Sequence, residues 1–152
     1  MKLLKIASLL SALTLAVGAL SAKPIAGPKG GRVVTTEAPH VEFFVEKDRT
    51  VAVTFYDAAL KPVAPGAQMV TVIAEARSGK AQFALEKLAT GFASKQPLPA
   101  GDEYTVVLQV RDAAGAKPKN YRILFHDEIC KECKRAEYAC ICDDAGHEEH
   151  KK

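Results

Sequence analysis

The chain has 152 residues, of which 48% are hydrophobic and 26% charged, which suits one domain with a packed core and excludes wholesale disorder. Lys and Arg number 21 against 18 Asp and Glu. Setting aside Lys2 and Lys5, which lie in a segment expected to be removed, leaves 19 against 18. That balance excludes the one-sided basic surplus of a nucleic-acid binder.

Lys2 and Lys5 form a positive start to the chain, and Ile6 to Leu20 is almost entirely apolar or small. Ala19-Leu20-Ser21-Ala22 closes the run with the small residues that a signal peptidase requires. An apolar core of this length fits a signal peptide, whereas a spanning helix needs about 20 residues. Residues 1–22 are therefore expected to be a signal peptide, with cleavage after Ser21 or Ala22. The mature protein is expected in the periplasm or secreted, with no stable membrane insertion. Residues 23–31 hold two Pro and three Gly and read as a flexible leader.

From Arg32 the apolar period becomes two. Arg32 to Thr36 reads as a first strand. Val41, Phe43 and Val45 alternate in a second, and Val51, Val53 and Phe55 in a third. Ala58 to Gly66, with Pro62 and Pro65, is a loop. Met69 to Glu75 is rich in β-branched residues, and Ser78-Gly79 supplies a hairpin turn. Phe83 with Leu85, and Leu88 with Phe92, suggest two weaker strands, although Ala81 to Leu88 also suits a short helix. Tyr104, Val106, Leu108 and Val110 alternate most clearly, and Tyr121, Ile123 and Phe125 form the last strand, where the alternation supplying the core ends. Seven to eight strands with such regular turns predict an all-β fold, an immunoglobulin-like β-sandwich over residues 32–126, followed by a Cys/His-rich tail over 127–152.

Thr50 to Val63, reading TVAVTFYDAALKPV, and Leu98 to Val110, reading LPAGDEYTVVLQV, resemble the immunoglobulin-like sandwiches of bacterial envelope proteins, among them the CopC-like copper-resistance domains. Leu98 to Tyr104 also looks like a tyrosine corner, with one residue more than usual between Gly101 and Tyr104. The resemblance spans roughly residues 50–112 and implies a fold. CopC-like Cu(II) sites use a histidine at the mature N-terminus, where this chain has Lys23 or Ala22, so no binding residue is carried over.

The chemistry is concentrated in the tail. Its pattern is Cys130-Lys-Glu-Cys133, six residues, Cys140-Ile-Cys142, then His147 and His150. Pairs of cysteines this close in sequence bring two sulfurs to one centre. Thiolate suits Zn(II) and Cu(I), and imidazole is acceptable to both. The segment Ile129 to Cys140 has helix-forming residues, and on a helix Cys130, Cys133 and Cys140 would share one face. Four thiolates make a closed tetrahedral site, structural or storage in kind. From His126 to Lys152 eight acidic residues face five basic ones, which favours the approach of cations. The competing reading is oxidation: an exported chain meets disulfide-forming machinery, and Cys130–Cys142 with Cys133–Cys140 would staple a small knob. His147 and His150 serve equally well as ligands or as part of a solvated tail. His126 and His40 read as ordinary strand-end residues. A thiol-redox role for Cys130-Lys-Glu-Cys133 lacks the βαβ setting it needs, and Lys134 after Cys133 excludes covalent haem attachment.

No nucleophile elbow, H-E-x-x-H or phosphate-cradling loop occurs, so an enzyme is not expected. Two functions remain. One is an exported soft-metal-binding module, with Cys130, Cys133, Cys140, Cys142, His147 and His150 as candidate ligands and a role in metal handling or efflux support. The other is a non-catalytic envelope interaction protein with two disulfides. Both allow another envelope protein as partner, and neither involves nucleic acid.

Overall fold

The computed structural model describes residues 24–142, so the expected signal peptide, His147 and His150 lie outside the described residues. Among the described residues nine strands form two antiparallel sheets. They are β1 (Arg32–Val33), β2 (His40–Val45), β3 (Val51–Tyr56), β4 (Met69–Ala76), β5 (Gly79–Phe83), β6 (Leu85–Leu88), β7 (Gly91–Ser94), β8 (Tyr104–Arg111) and β9 (Lys119–Phe125). The first sheet has the order β1-β2-β3-β7-β6 and the second β5-β4-β8-β9. Each strand is built from the β-branched and aromatic residues that fit a pleated, half-buried surface. Buried residues of both sheets, including Phe43, Val53 and Phe55 from the first and Val72, Leu108 and Ile123 from the second, form one hydrophobic cluster.

The expectation of seven to eight strands is corrected to nine. The difference lies between Gly79 and Ser94, where two weak strands were expected and three occur. Nor is Ala81 to Leu88 a helix. β5 pairs with β4 in the second sheet, the chain passes Ala84, and β6 pairs with β7 in the first. A single residue thus carries the chain between sheets, which interrupts the period that would have identified either strand. The β4–β5 turn is Arg77-Ser78, because Ala76 pairs with Gly79. Gly79 has φ +124°, a conformation closed to most L-residues. β1 is shorter than Arg32 to Thr36. The Val34 N–H still donates to the Val41 carbonyl at 2.9 Å, and the chain bends from Thr36.

Tyr104 forms the expected corner. Its hydroxyl donates to the Pro99 carbonyl at 3.1 Å and accepts from the Arg49 guanidinium at 3.2 Å. On the outer face of the first sheet, Glu42 is fully buried. Its carboxylate accepts from the Gly31 N–H at 2.8 Å, the Lys29 N–H at 3.1 Å and the Tyr56 hydroxyl at 2.6 Å. These bonds supply the partners that a buried charge requires.

The apolar alternation ends at Phe125, but the core does not. Tyr138 and Ala139, from the cysteine segment, belong to the same cluster and are 4% and 1% exposed. The Tyr138 ring stacks on Phe125 at 5.4 Å and meets Phe43 edge-on at 5.7 Å.

Candidate metal centre

The segment Ile129 to Cys140 is not a helix. Beyond Phe125 the chain forms an isolated bridge between Ile129 and Ala136, and between them it reverses. The Cys130 N–H donates to the Arg135 carbonyl at 2.8 Å, and the Lys134 N–H to the Cys130 carbonyl at 3.1 Å. Lys134 has φ 59°, in the left-handed region, which no α-helix tolerates in its interior. Glu137–Ala139 is a single 3-10 turn, and Cys140 beyond it is already extended, at φ −60° and ψ 138°. Its helix-forming residues are overruled by tertiary packing. Burying Tyr138 between Phe43 and Phe125 needs a chain reversal that a continuous helix would prevent.

The reversal brings the cysteines together by a route other than a shared helix face. Cys130 and Cys133 flank one turn, while Cys140 and Cys142 arrive on the strand-like segment after the 3-10 turn. All four sulfurs lie within 4.8 Å of one another. The Sγ–Sγ separations are 3.6 Å for Cys130–Cys140, 3.7 Å for Cys133–Cys140 and 3.8 Å for Cys130–Cys142. A tetrahedron with metal–sulfur bonds of about 2.3 Å has sulfur–sulfur edges of about 3.8 Å. A disulfide requires about 2.05 Å. No pair stands at that distance, and all four thiols are free, so the disulfide pairing is not formed. Three of the six edges stand close to that length and the rest lie within 4.8 Å, so the donor set is compatible with a soft tetrahedral ion.

The thiols are not equivalent. Cys130 is buried; the other three are partly exposed. Burial pushes the Cys133 thiol up, but the N–H groups of Ile141 and Arg135 and the thiols of Cys130 and Cys140 more than offset it, bringing it down to about 6. Burial holds Cys140 above the ordinary thiol range. The neighbouring Cys140 thiol, followed by burial, does the same for Cys142. The Cys142 N–H also donates to the Cys140 sulfur at 3.4 Å. One sulfur poised to ionise beside two that resist it, Cys140 and Cys142, is the pattern of a compact cluster, where each negative charge opposes the next.

The other histidines lie elsewhere. His126 approaches the Asp102 carboxylate at 3.4 Å, and the buried His40 ring stands 3.4 Å from the Thr35 carbonyl. Neither joins the sulfur cluster, in keeping with their reading as strand-end residues.

Spacing did not identify the residues that seat the site. Tyr138 is the one aromatic residue between Cys130 and Cys142, the available sequence signal for an anchor. The Arg135 guanidinium donates to the Gly27 carbonyl at 3.3 Å, and Arg32 reaches the Tyr138 carbonyl at 3.4 Å. The cysteine segment is thereby fastened to the β1 edge as well as to the core.

No family model matches the chain, and no curated protein or solved structure matches it.

Proposed function

We propose that this chain is an exported, non-catalytic metal-binding protein in which Cys130, Cys133, Cys140 and Cys142 hold one soft ion on a rigid, immunoglobulin-like platform. Zn(II) is the first choice, because a tetrahedral set of four sulfurs is its preferred closed site, and Cu(I) is the second. The observation that carries the reading is the sulfur geometry: all four sulfurs lie within 4.8 Å, and three of their separations, at 3.6 to 3.8 Å, match the edges of a metal tetrathiolate. The export expectation places the protein in the periplasm or outside the cell, where the role is metal handling or support of efflux. His147 and His150 are auxiliary in this reading, because four sulfurs already complete a tetrahedron.

Anaerobic titration of the reduced full chain with Zn(II) or Cu(I) tests the reading. One equivalent should bind, and each single Cys-to-Ser substitution should weaken binding steeply, because a hydroxyl is a poor substitute for thiolate at a soft ion. His147→Ala and His150→Ala should cost much less. Absence of uptake, or uptake that survives all four Cys substitutions, would overturn it.

A further inference from the structure

A cleft of about 580 Å³ opens where the cysteine segment meets the end of the β2–β3 hairpin. Its lining is chemically two-sided. Five cations face it, namely Lys29, Lys47, Arg49, Lys134 and Arg135, against the two acids Glu46 and Asp127. The exposed apolar part is supplied by Ile129 and Phe44, with the buried Phe125 and Tyr138 behind them. Of the chain's 21 basic and 18 acidic residues, sixteen of each lie outside this lining, so the concentration is local.

Two of the cations are uncommitted. Lys29 and Lys47 are exposed, and among the described residues neither forms an ion pair. The Arg49 guanidinium is fixed by Asp127 at 2.8 Å and by the Pro99 and Gly101 carbonyls at 2.7 and 2.8 Å, yet its Nε is buried with no acceptor. Ile129 is 62% exposed, although it is among the most apolar residues of the segment. β1 pairs with β2 only at Glu42 and Phe43, so Phe44 and Val45 lie beyond it and remain partly exposed.

We infer that this cleft is a docking site for an acidic peptide segment of a partner protein, one in which Asp or Glu alternates with apolar side chains. Carboxylates would meet Lys29 and Lys47, and apolar side chains would cover Ile129 and Phe44. Charge complementarity favours this occupant. The apolar floor, together with Glu46 and Asp127 at the lining, disfavours a polyanion such as a nucleic acid, which would leave that floor uncovered. The inference rests on the cleft and not on what the four thiolates hold.

The probe is a fluorescein-labelled eight-residue peptide of alternating Glu and Leu, with a Lys-Leu peptide as its opposite, added to the reduced full chain. The acidic peptide should bind saturably, weaken at least tenfold between 50 and 500 mM salt (on the order expected for screened charges), and shift amide resonances of Lys29, Phe44, Lys47 and Ile129. The double variant Lys29→Glu/Lys47→Glu should lose at least tenfold in affinity. Lys61→Glu/Lys117→Glu, which changes net charge equally at exposed positions outside the cleft, should lose less than threefold. All four positions are exposed, so circular dichroism should find both variants folded. Equal losses in the two variants, or binding of the Lys-Leu peptide instead, would overturn the inference. So would sedimentation with phosphatidylglycerol vesicles in place of peptide binding. Replacing Asp143, Asp144, Glu148 and Glu149 by their amides should leave peptide affinity unchanged. A tenfold gain would mean that the chain's own acidic segment competes for the cleft, and would overturn the assignment to a separate partner.

Discussion

The Tyr138 hydroxyl accepts a hydrogen bond from the Val45 N–H at 3.0 Å, joining the residue between the two cysteine pairs to the last residue of β2. Val45 lies past the two residues that β1 pairs, so Tyr138 takes the place of a neighbouring strand there. Its ring completes the core while its hydroxyl caps an edge, and the cysteine-bearing turns hang on either side. The fold and the candidate site therefore share one side chain.

Tyr138→Phe should keep the ring contacts but leave the Val45 N–H without its partner, at a cost of about 1–3 kcal/mol. Tyr138→Ala should cost about 3–5 kcal/mol, because it also empties the space between Phe43 and Phe125. Urea unfolding of the reduced, metal-free chain checks both. Equal midpoints for wild type and Tyr138→Ala would mean that the cysteine segment does not contribute to the core.

The strand body was legible because alternation reports a half-buried sheet directly, as at Tyr104, Val106, Leu108 and Val110. The cysteine cluster was legible as a cluster, since spacing limits what four thiols can do. What the sequence concealed were features fixed by distant partners. Glu42 stands at a position that alternation assigns to solvent, yet the turn at Gly27–Gly31 covers it. Ala84 switches sheets without a turn signal. The helix-forming residues around Glu137 yielded to a reversal driven by Tyr138, whose contacts lie on β2 and β9. A chain ending at Asp127, which alternation alone predicts to fold independently, should accordingly unfold at lower urea and less cooperatively than the full chain.

Glu42 and Gly27 should prove as sensitive as core residues. Glu42→Gln keeps one oxygen for the Lys29 and Gly31 N–H groups but turns the other into an amide donor, so that the Tyr56 hydroxyl must accept instead of donate, and should cost about 1–3 kcal/mol. A Cβ at Gly27 would overlap the Glu42 carboxylate and the Gly31 carbonyl. Gly27→Ala should therefore lower the urea midpoint, whereas Gly66→Ala, where the nearest atom is a side-chain oxygen 3.4 Å away, should not. Indistinguishable midpoints for the two alanine variants would show that the turn does not bear on stability.

Stability should fall in alkali. Burial raises the Tyr56, Tyr104 and Tyr138 hydroxyls above the ordinary tyrosine value, with the Glu42 carboxylate adding to the effect at Tyr56. In the unfolded chain these groups release their protons near pH 10, while in the folded chain they retain them. The folded state then binds more protons, so its advantage shrinks as pH rises above about 10 and is intact below it. Thermal unfolding between pH 8 and 11.5 should show this decline. Tyr56→Phe should begin lower and decline less steeply. A midpoint independent of pH up to 11.5 would contradict the burial of these hydroxyls.

Metal should stabilise the fold, and acid should remove that gain. An ion held at one hundred times its dissociation constant adds about 2.7 kcal/mol, provided the unfolded chain does not bind it. Because Tyr138 lies between Cys133 and Cys140, holding the four sulfurs also holds the aromatic ring against Phe43 and Phe125. Each thiolate must shed its proton before it ligates, so protons compete with the ion, and the stabilisation should diminish as pH falls from 7 towards 5. The chain has no tryptophan, so near-ultraviolet circular dichroism follows its four tyrosines. Adding one equivalent of Zn(II) at pH 7 should sharpen that signal and raise the unfolding temperature, and a chelator should reverse both. At pH 5 the two curves should nearly coincide, and Cys130→Ser should make them coincide at pH 7 as well. A rise in unfolding temperature that persists in Cys130→Ser, or that is undiminished at pH 5, would place the bound ion away from the sulfur cluster.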